Sequence, residues 1–433
     1  MARGISDHRD ARQAPSHDSL NASSNLLLKL LFMIAPGGRP PLILLVLATA
    51  IGGVSMNIFI PSMPGLVRFF ATDIATVQLT LTLYLAGIAV GQLVYGPLSD
   101  HYGRRPLMLA GLGLYAASAL VASLASSIDV LILGRIAQAF GGCAGMVITR
   151  AIIRDVYDRD RGASVLGYVT MAMTIAPAMA PVLGGYLDLW FSWRAGLWVL
   201  TAYGALLLLG CLFFLPETLK EPQPTIGVGP ILNSYRTLLR RPAFLGYAFG
   251  AGCSTACFFS FLAGAPYLMI EVLNRQPSDY GIWFVIVSFG YFIGNFLTGK
   301  LSRRLGVDRM VTIGAAMVLF GGIAMLVHGL ILPVAPAGIF LPAMMVAMGN
   351  GVGQPNGIAG AISVDPTRAG AASGIVGFLQ MALGAVGTVI IGHTLGSTLL
   401  PVGLTIAVLG TASALFFWLA LTRPRGLPGP AGR

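Results

Sequence analysis

Charge is scarce in this chain: only 10% of its 433 residues are Asp, Glu, Lys or Arg, against roughly 25% in a soluble globular domain. That excludes an ordinary water-facing surface over most of the molecule. Acid is scarcer still. Sixteen residues are Asp or Glu, and none lies in the middle of an apolar block; Asp100, Asp129, Asp188 and Asp365 all fall at or near block ends. The four cysteines lie in or near apolar runs. Cys253 and Cys257 share a helix face, but no histidine or acid is placed to complete a metal site, so packing accounts for them. There is no Gly-rich loop ending in Gly-Lys-Ser/Thr for ATP phosphates and no His-Glu-x-x-His. The sequence therefore shows no catalytic residues, no cofactor and no metal site, and it does not read as an enzyme.

What the chain has instead is hydrocarbon. Apolar residues make up 56% and the mean hydropathy is +0.80. They come in blocks approaching the roughly 20 residues that cross a 30 Å core as a helix. Twelve blocks meet that length: 42–61, 76–97, 106–126, 129–152, 162–187, 194–215, 243–270, 279–300, 310–331, 335–362, 370–395 and 399–421. The expected fold class is an all-α membrane protein of twelve transmembrane helices. Its expected parts are a disordered N-terminal tail (1–41), a six-helix bundle (42–215), a linker (216–242), a second six-helix bundle (243–421) and a short tail (422–433).

The net charge of +11 would suggest nucleic acid until it is located. Of 27 basic residues, 22 lie in the tails and alternate loops, while the opposite loops hold only Arg68, Arg194 and Arg275. Positive loops stay cytoplasmic, so both termini are expected inside and nucleic acid is not a partner. The apolar run at 26–35 is broken by Lys29 and starts too late for a secretory signal.

The two halves repeat. "GIAVGQLVYGPLSDHYGRR" (87–105) and "GYFIGNFLTGKLSRRLGVD" (290–308) match at one offset through Gly87, Gly91, Gly96, Leu98, Ser99 and Gly103 against Gly290, Gly294, Gly299, Leu301, Ser302 and Gly306. A weaker echo links "AQAFGGCAG" in span 4 to "VAMGNGVGQ" in span 10. Copies six crossings apart run in the same direction, one of the known transporter plans, with a substrate site near the midplane between halves.

Several motifs carry chemistry. In "GPLSDHYGRRPL" (96–107) the glycines permit a tight turn and close helix approach. Asp100 can pair with a basic group or cap a neighbouring helix. In "LILGRIAQAFGG" a permanently charged Arg135 sits in apolar surroundings beside Gln138, so it faces protein or water rather than lipid. It can donate to carbonyls, bind a polar or anionic substrate, depress the pKa of a nearby acid, or simply tie helices together. In span 5, Ala172, Ala176, Ala180 and Gly184 form a smooth stripe, and Pro177 and Pro181 bend the helix. Span 10 carries "GNGVGQPNG", whose Gln354 and Asn356 are expected to face a wet cavity. Tyr84, Phe258, Phe259 and Phe261 are plausible linings for a lipophilic ligand.

These motifs resemble those of the major facilitator superfamily. The 96–107 loop is similar to its signature between spans 2 and 3, and the resemblance marks Gly96, Asp100, Gly103, Arg104 and Arg105 as a conformational switch. Arg135 and Gln138 fall on its span-4 motif, although Ala139 and Phe140 depart from it. Pro177, Pro181, Gly184 and Gly185 resemble the span-5 motif of drug exporters, with Ala180 replacing one glycine. With "SMNIFIPSMPGL" in span 1, the whole chain resembles the bicyclomycin and chloramphenicol resistance branch of drug:proton antiporters, except that Asn57 stands where an aspartate is usual. Asparagine cannot titrate, so the proton carrier is left open among Asp100, Asp365, His328 and His393.

The resemblance implies two bundles around a central cavity, lined by spans 1, 4, 7 and 10, with spans 2, 5, 8 and 11 along the seam. It implies a monomeric, multi-pass protein of the bacterial inner membrane that exports small amphiphilic drugs by alternating access against inward proton flow. Asn57, Arg135, Gln138, Tyr84, Phe258, Phe259, Gln354 and Asn356 would serve substrate and coupling. The rival reading is proton-coupled uptake of an organic anion or other metabolite, with Arg135 as the clamp.

Overall fold

A computed structural model describes residues 40–157, 159–219 and 228–422. The two tails and the middle of the linker, with the expectations attached to them, lie outside the described residues. Twelve crossing helices follow the apolar blocks closely. They are α1 Leu42–Phe59, α2 Ile74–Tyr102, α3 Arg104–Ser123, α4 Ile128–Val156, α5 Arg159–Trp190 and α6 Trp193–Phe214 in the first half. In the second half, α7 is Pro242–Tyr267, α8 and α9 are the two arms of Pro277–Ile331, α10 is Pro336–Val364, α11 is Ala369–Thr394 and α12 is Leu400–Thr422. A short amphipathic helix, Val228–Leu239, precedes α7.

The helix starts follow local chemistry. The Asp73 carboxylate accepts from the Thr76 amide at 2.8 Å, and this hydrogen bond holds its pKa below the usual carboxylate value. Gln276 and Asp279 form a reciprocal capping box at the start of α8. Pro242, Pro277 and Pro336 occupy first-turn positions, where a missing N–H costs nothing.

The repeat is visible in the backbone. Gly103, between α2 and α3, has φ 98° and ψ 154°; Gly306, between α8 and α9, has φ 80° and ψ 160°. That region is essentially closed to residues with a Cβ. These are the only two positive-φ glycines among the described residues, and they are the last matched pair of the sequence repeat. The other matched glycines serve packing in both halves: Gly87 and Gly91 face Ala139 and Cys143 of α4, while Gly290 and Gly294 face Met344 and Met348 of α10.

The seam between halves is built from small residues. A methyl on Gly185 of α5 would lie 2.5 Å from the Pro277 carbonyl across the seam, and within the first half one on Gly184 would strike the Ile58 carbonyl of α1. Gly281 of α8 faces the Pro181 carbonyl in return, while Pro177 fills the space above Gly53 of α1. The small-residue face of α5 thus packs against α1 of its own half and α8 of the other. Across the other side of the seam, Thr82 of α2 and Thr388 of α11 share a hydrogen bond of 2.7 Å. Leu133, Leu206, Phe213, Phe320, Leu330 and Trp418 are left exposed around the outside, as expected of side chains whose solvent is hydrocarbon.

Candidate functional site

One end of the seam is closed. There Gln78 of α2 donates to the Ala263 carbonyl of α7 at 2.6 Å, and Arg68 pairs with Glu271 at 3.0 Å across the two halves. A 290 Å³ recess lies at this end, lined by Arg68, Asp188, Asn274 and Gln276 among others. At the opposite end, on the side of the basic loops, the halves separate around a cavity of 430 Å³. Its walls come from α2, α4, α11 and the short helix 228–239, and include Gln92, Asp100, Arg104, Arg150, Arg154 and Tyr235.

The sequence-predicted residues divide into separate places. Asp100 and Arg104 are joined at 2.6 Å, and Gly96 lies beside them on the cavity wall. Arg104 is nearly buried and also binds Asp155 through Nε at 2.9 Å. The amides of Arg104 and Arg105 donate to the two carboxylate oxygens of Glu217 at 3.0 and 3.1 Å, a cap at the positive end of the α3 dipole. The Arg105 guanidinium donates to the Leu212 carbonyl. Asp155 and Glu217 were not found from sequence: one is a lone acid in the last turn of α4 and the other a lone acid just after α6, with no periodic signal. Among the described residues the cluster joins the first half to the start of the linker at Glu217 and bridges no helix of the second half.

Arg135 has a different setting. It is fully buried, so it does face protein. Its Nη1 donates to Gln138 Oε1 at 2.6 Å and to the Ser55 carbonyl and hydroxyl at 3.3 Å. Its flat faces lie 4.2 Å from the Tyr84 ring centroid and 4.7 Å from that of Phe59. The Tyr84 hydroxyl is turned away to the Gly52 carbonyl at 2.9 Å. Nε and Nη2 of Arg135 and Nε2 of Gln138 have no partner. Two desolvated cation–π contacts, at about 2 kcal/mol each, roughly offset two orphan donors at about 1–3 kcal/mol each. The cation is tolerated, not strongly held. Of the two expected surroundings, protein or water, the cation has protein: Phe59 and Tyr84 pack on it.

The remaining residues also lie away from the cavity. Asn57 donates to the Gly53 carbonyl at 2.9 Å, and its Oδ1 is buried without a partner. Asn356 is buried against α8, accepting from Ser302 at 2.9 Å and donating to the Val352 carbonyl; it faces a neighbouring helix, not water. Gln354 donates to Thr255 of α7 at 3.0 Å and to Asn350 at 2.7 Å, in a polar layer that Ser254 completes. Phe259 packs on Gly384 of α11 and touches Phe258, which is partly buried. Neither lines the cavity.

The two candidate histidines and Asp365 are engaged elsewhere. His328 contacts the Pro333 carbonyl at 3.2 Å and His393 the Val389 carbonyl at 2.9 Å. Asp365, just before α11, accepts from Thr367 and pairs with Arg368 and Arg241; these bonds, the threonine hydroxyl first, hold its pKa below the usual value. All four cysteines are free and buried, and among the described residues no cluster of His, Cys, Asp and Glu could hold a metal ion.

Comparison with known proteins agrees with this architecture. Residues 45–388 match the family model for the Major Facilitator Superfamily. The chain is 27% identical to a bicyclomycin resistance protein homolog of Haemophilus influenzae over 85% of this chain and 92% of that one. It is 30% identical to multidrug resistance protein D of Escherichia coli, over 78% and 85%. Against a chloramphenicol resistance protein of Pseudomonas aeruginosa the identity is 28%, over 81% and 84%. Among solved structures, a POT family transporter in complex with 5-aminolevulinic acid superposes with a TM-score of 0.72 at 14% identity, over 91% of this chain and 98% of that one. A bacterial homolog of the human lysosomal transporter Spinster, inward-facing and unoccupied, gives 0.66 at 16%, over 88% and 94%. With its two parallel repeats and the match across most of its length, this multi-pass membrane chain belongs to the major facilitator superfamily.

Proposed function

We propose that the protein is a secondary active exporter of small amphiphilic drugs, working by alternating access and driven by inward proton movement. The observation that carries this reading is the asymmetry of the seam. One end is sealed by Gln78–Ala263 and Arg68–Glu271, while the end with the basic loops holds a 430 Å³ cavity. That volume lies in the range of drug-sized sites. By the charge rule for loops the cavity faces the cytoplasm, so both termini are cytoplasmic and this conformation loads from inside. Relatives named for resistance to bicyclomycin, chloramphenicol and multiple drugs support outward movement of such compounds.

In this reading the close α5–α8 contact is where the halves rock. The Arg104 cluster keeps the first half rigid at its cytoplasmic end, with Asp100 on the cavity wall. Arg135 and Gln138 keep unpaired donors that reorganise when the opposite face opens. Asn57 cannot carry a proton, and the carboxylates at the two apertures, Asp100 inside and Asp188 in the outer recess, are the groups placed to exchange one. The membrane is the bacterial inner membrane, and the monomer contains the complete pathway.

The test is uphill transport in proteoliposomes holding the purified chain alone. With an imposed pH gradient, labelled chloramphenicol or bicyclomycin should move against its own gradient. Movement that ignores the pH gradient would remove proton coupling; no movement of either compound would remove the export reading.

A further inference from the structure

The cavity has an uneven charge that export of neutral drugs does not require. Four charged side chains line it: Asp100, Arg104, Arg150 and Arg154. Arg104 is shared between Asp100 on the wall and Asp155 behind it, so it contributes no free positive charge to the cavity. Arg150 and Arg154 remain. Among the described residues no carboxylate lies within ion-pair distance of Arg150, and a helical turn away stands only Arg154 or apolar Met146. Arg150 is exposed, and what it is exposed to is the space between the halves.

Its depth matters. Arg150 precedes the end of α4 by six residues, about 9 Å along the axis, so it is not one of the terminal cations that merely fix topology. The neighbouring wall is apolar, with Leu93, Pro97, Val147 and Ala151. Facing it, Gly370, Ala371 and Gly374 of α11 leave that side of the cavity without bulk. These residues belong to the first turns of a 26-residue helix with no side-chain cap, whose dipole adds positive potential at the same place. Low-dielectric walls around one sign of charge focus the field and concentrate counter-ions.

We propose that this cavity is a capture site for amphiphiles bearing a single negative charge, such as an aromatic carboxylate. Arg150 is the charge partner, Arg154 the second cation, and the small-residue face of α11 receives the apolar body. The inference deepens the export reading by naming a substrate class, and it rests on that reading only for the direction of movement.

The experiment uses three probes with one ring system: 1-naphthoate, 1-naphthylmethanol and 1-naphthylmethylammonium. Binding to the full-length protein is measured by calorimetry in phosphatidylcholine nanodiscs. 1-Naphthoate should bind about tenfold more tightly than the alcohol, and the ammonium more weakly than either. This ratio should shrink as NaCl rises from about 50 to about 500 mM. In Arg150→Gln the naphthoate-to-alcohol ratio should fall to about two, and Arg150→Lys should recover most of it. Equal binding of naphthoate and alcohol by the unmodified protein would overturn the proposal, whether or not the variants fold. So would a ratio that survives Arg150→Gln combined with Arg154→Gln. If adding phosphatidylglycerol to the nanodiscs abolishes naphthoate binding, the site belongs to a lipid headgroup and the proposal fails. The export reading is scored separately: chloramphenicol export with no charge preference sinks only this site, while a charge preference without transport of any compound sinks only export.

Discussion

Arg135 lies with its guanidinium 4.2 Å from the centroid of the Tyr84 ring, which is buried, while the Tyr84 hydroxyl bonds to the Gly52 carbonyl at 2.9 Å. One side chain therefore supports the cation with its face and holds α1 with its tip. The two contributions separate by substitution. Tyr84→Phe keeps the face and should cost about 1 kcal/mol in unfolding free energy from the lost hydrogen bond, with transport largely retained. Tyr84→Leu removes the face as well and should reduce transport sharply, because Arg135 then lacks one of its two aromatic supports. Transport rates in proteoliposomes, with thermal unfolding as the control for stability, distinguish the two; equal losses in both variants would show that the face contributes nothing.

Arg135→Ala is expected to be structurally mild and functionally severe. It deletes two orphan donors, at about 1–3 kcal/mol each, along with the cation–π contacts and the Nη1 bonds to Gln138 and Ser55, so the melting temperature should fall only modestly. Transport should fall at least about tenfold if the cation reorganises during the cycle. Unchanged efflux from inverted vesicles would refute a role in transport, and a large drop in melting temperature would identify Arg135 as a structural tie.

Which of these features could be read from residues alone is instructive. Gly103 and Gly306 were legible because a repeat and a backbone demand coincide: the same register that matched six residues also required a Cβ-free corner twice. The crossings were legible because hydrocarbon thickness fixes helix length. The partners of Arg135 were not, because Ser55, Phe59 and Tyr84 reach it only through the mutual rotation of α1, α2 and α4, which no local pattern encodes. Asn356 was misplaced for the same reason. Its helix is glycine-rich, but which side of α10 meets Ser302 of α8 is decided by close packing at Gly294 and Gly351.

The Arg104 cluster makes a sharper test of electrostatics. Arg104 is 3% exposed in its side chain, against 31% for Asp100 and 19% for Asp155. Arg104→Ala leaves both acids without their shared partner. Removing one member of a buried pair costs several kcal/mol; with both acids partly solvated, about 2 kcal/mol is the reasonable scale. Combining Arg104→Ala with Asp155→Asn should recover part of the loss, since one of the two stranded charges is gone. Thermal unfolding of the single and double variants measures that coupling, and strictly additive losses would contradict it.

Gly281 tests whether the α5–α8 seam moves. A methyl on Gly281 would lie 2.6 Å from the Val182 Cα and 2.7 Å from the Pro181 carbonyl, so Gly281→Ala must push α8 from α5. Overpacking of this kind costs about 1–3 kcal/mol. The strain falls on the closed outer end, so the variant should favour the conformation opened there, with slower net transport. If transport were unaffected while stability fell, the contact would be structural packing and the seam would pivot elsewhere.

The Arg68–Glu271 pair is the last test, and it turns on location rather than strength. Arg68 is 70% exposed in its side chain, and an ion pair so solvated contributes about 0–1 kcal/mol. Even that is enough to shift a near-balanced equilibrium between two conformations by up to about fivefold, because the pair joins the two halves at the sealed end. The readout exploits the burial of all four native cysteines, which keeps background labelling low. Asn274→Cys places a thiol on the outer recess, and its maleimide labelling rate reports how often that end opens. Arg68→Glu should raise the rate by two- to fivefold, on the scale set by an exposed pair, and adding Glu271→Arg should restore it. High salt should raise the unmodified protein's rate and, by screening the repulsion between the two carboxylates, lower that of Arg68→Glu, so that the two converge. A labelling rate indifferent to both charge reversal and salt would mean that packing around Gln78 and Ala263 alone holds the outer end shut.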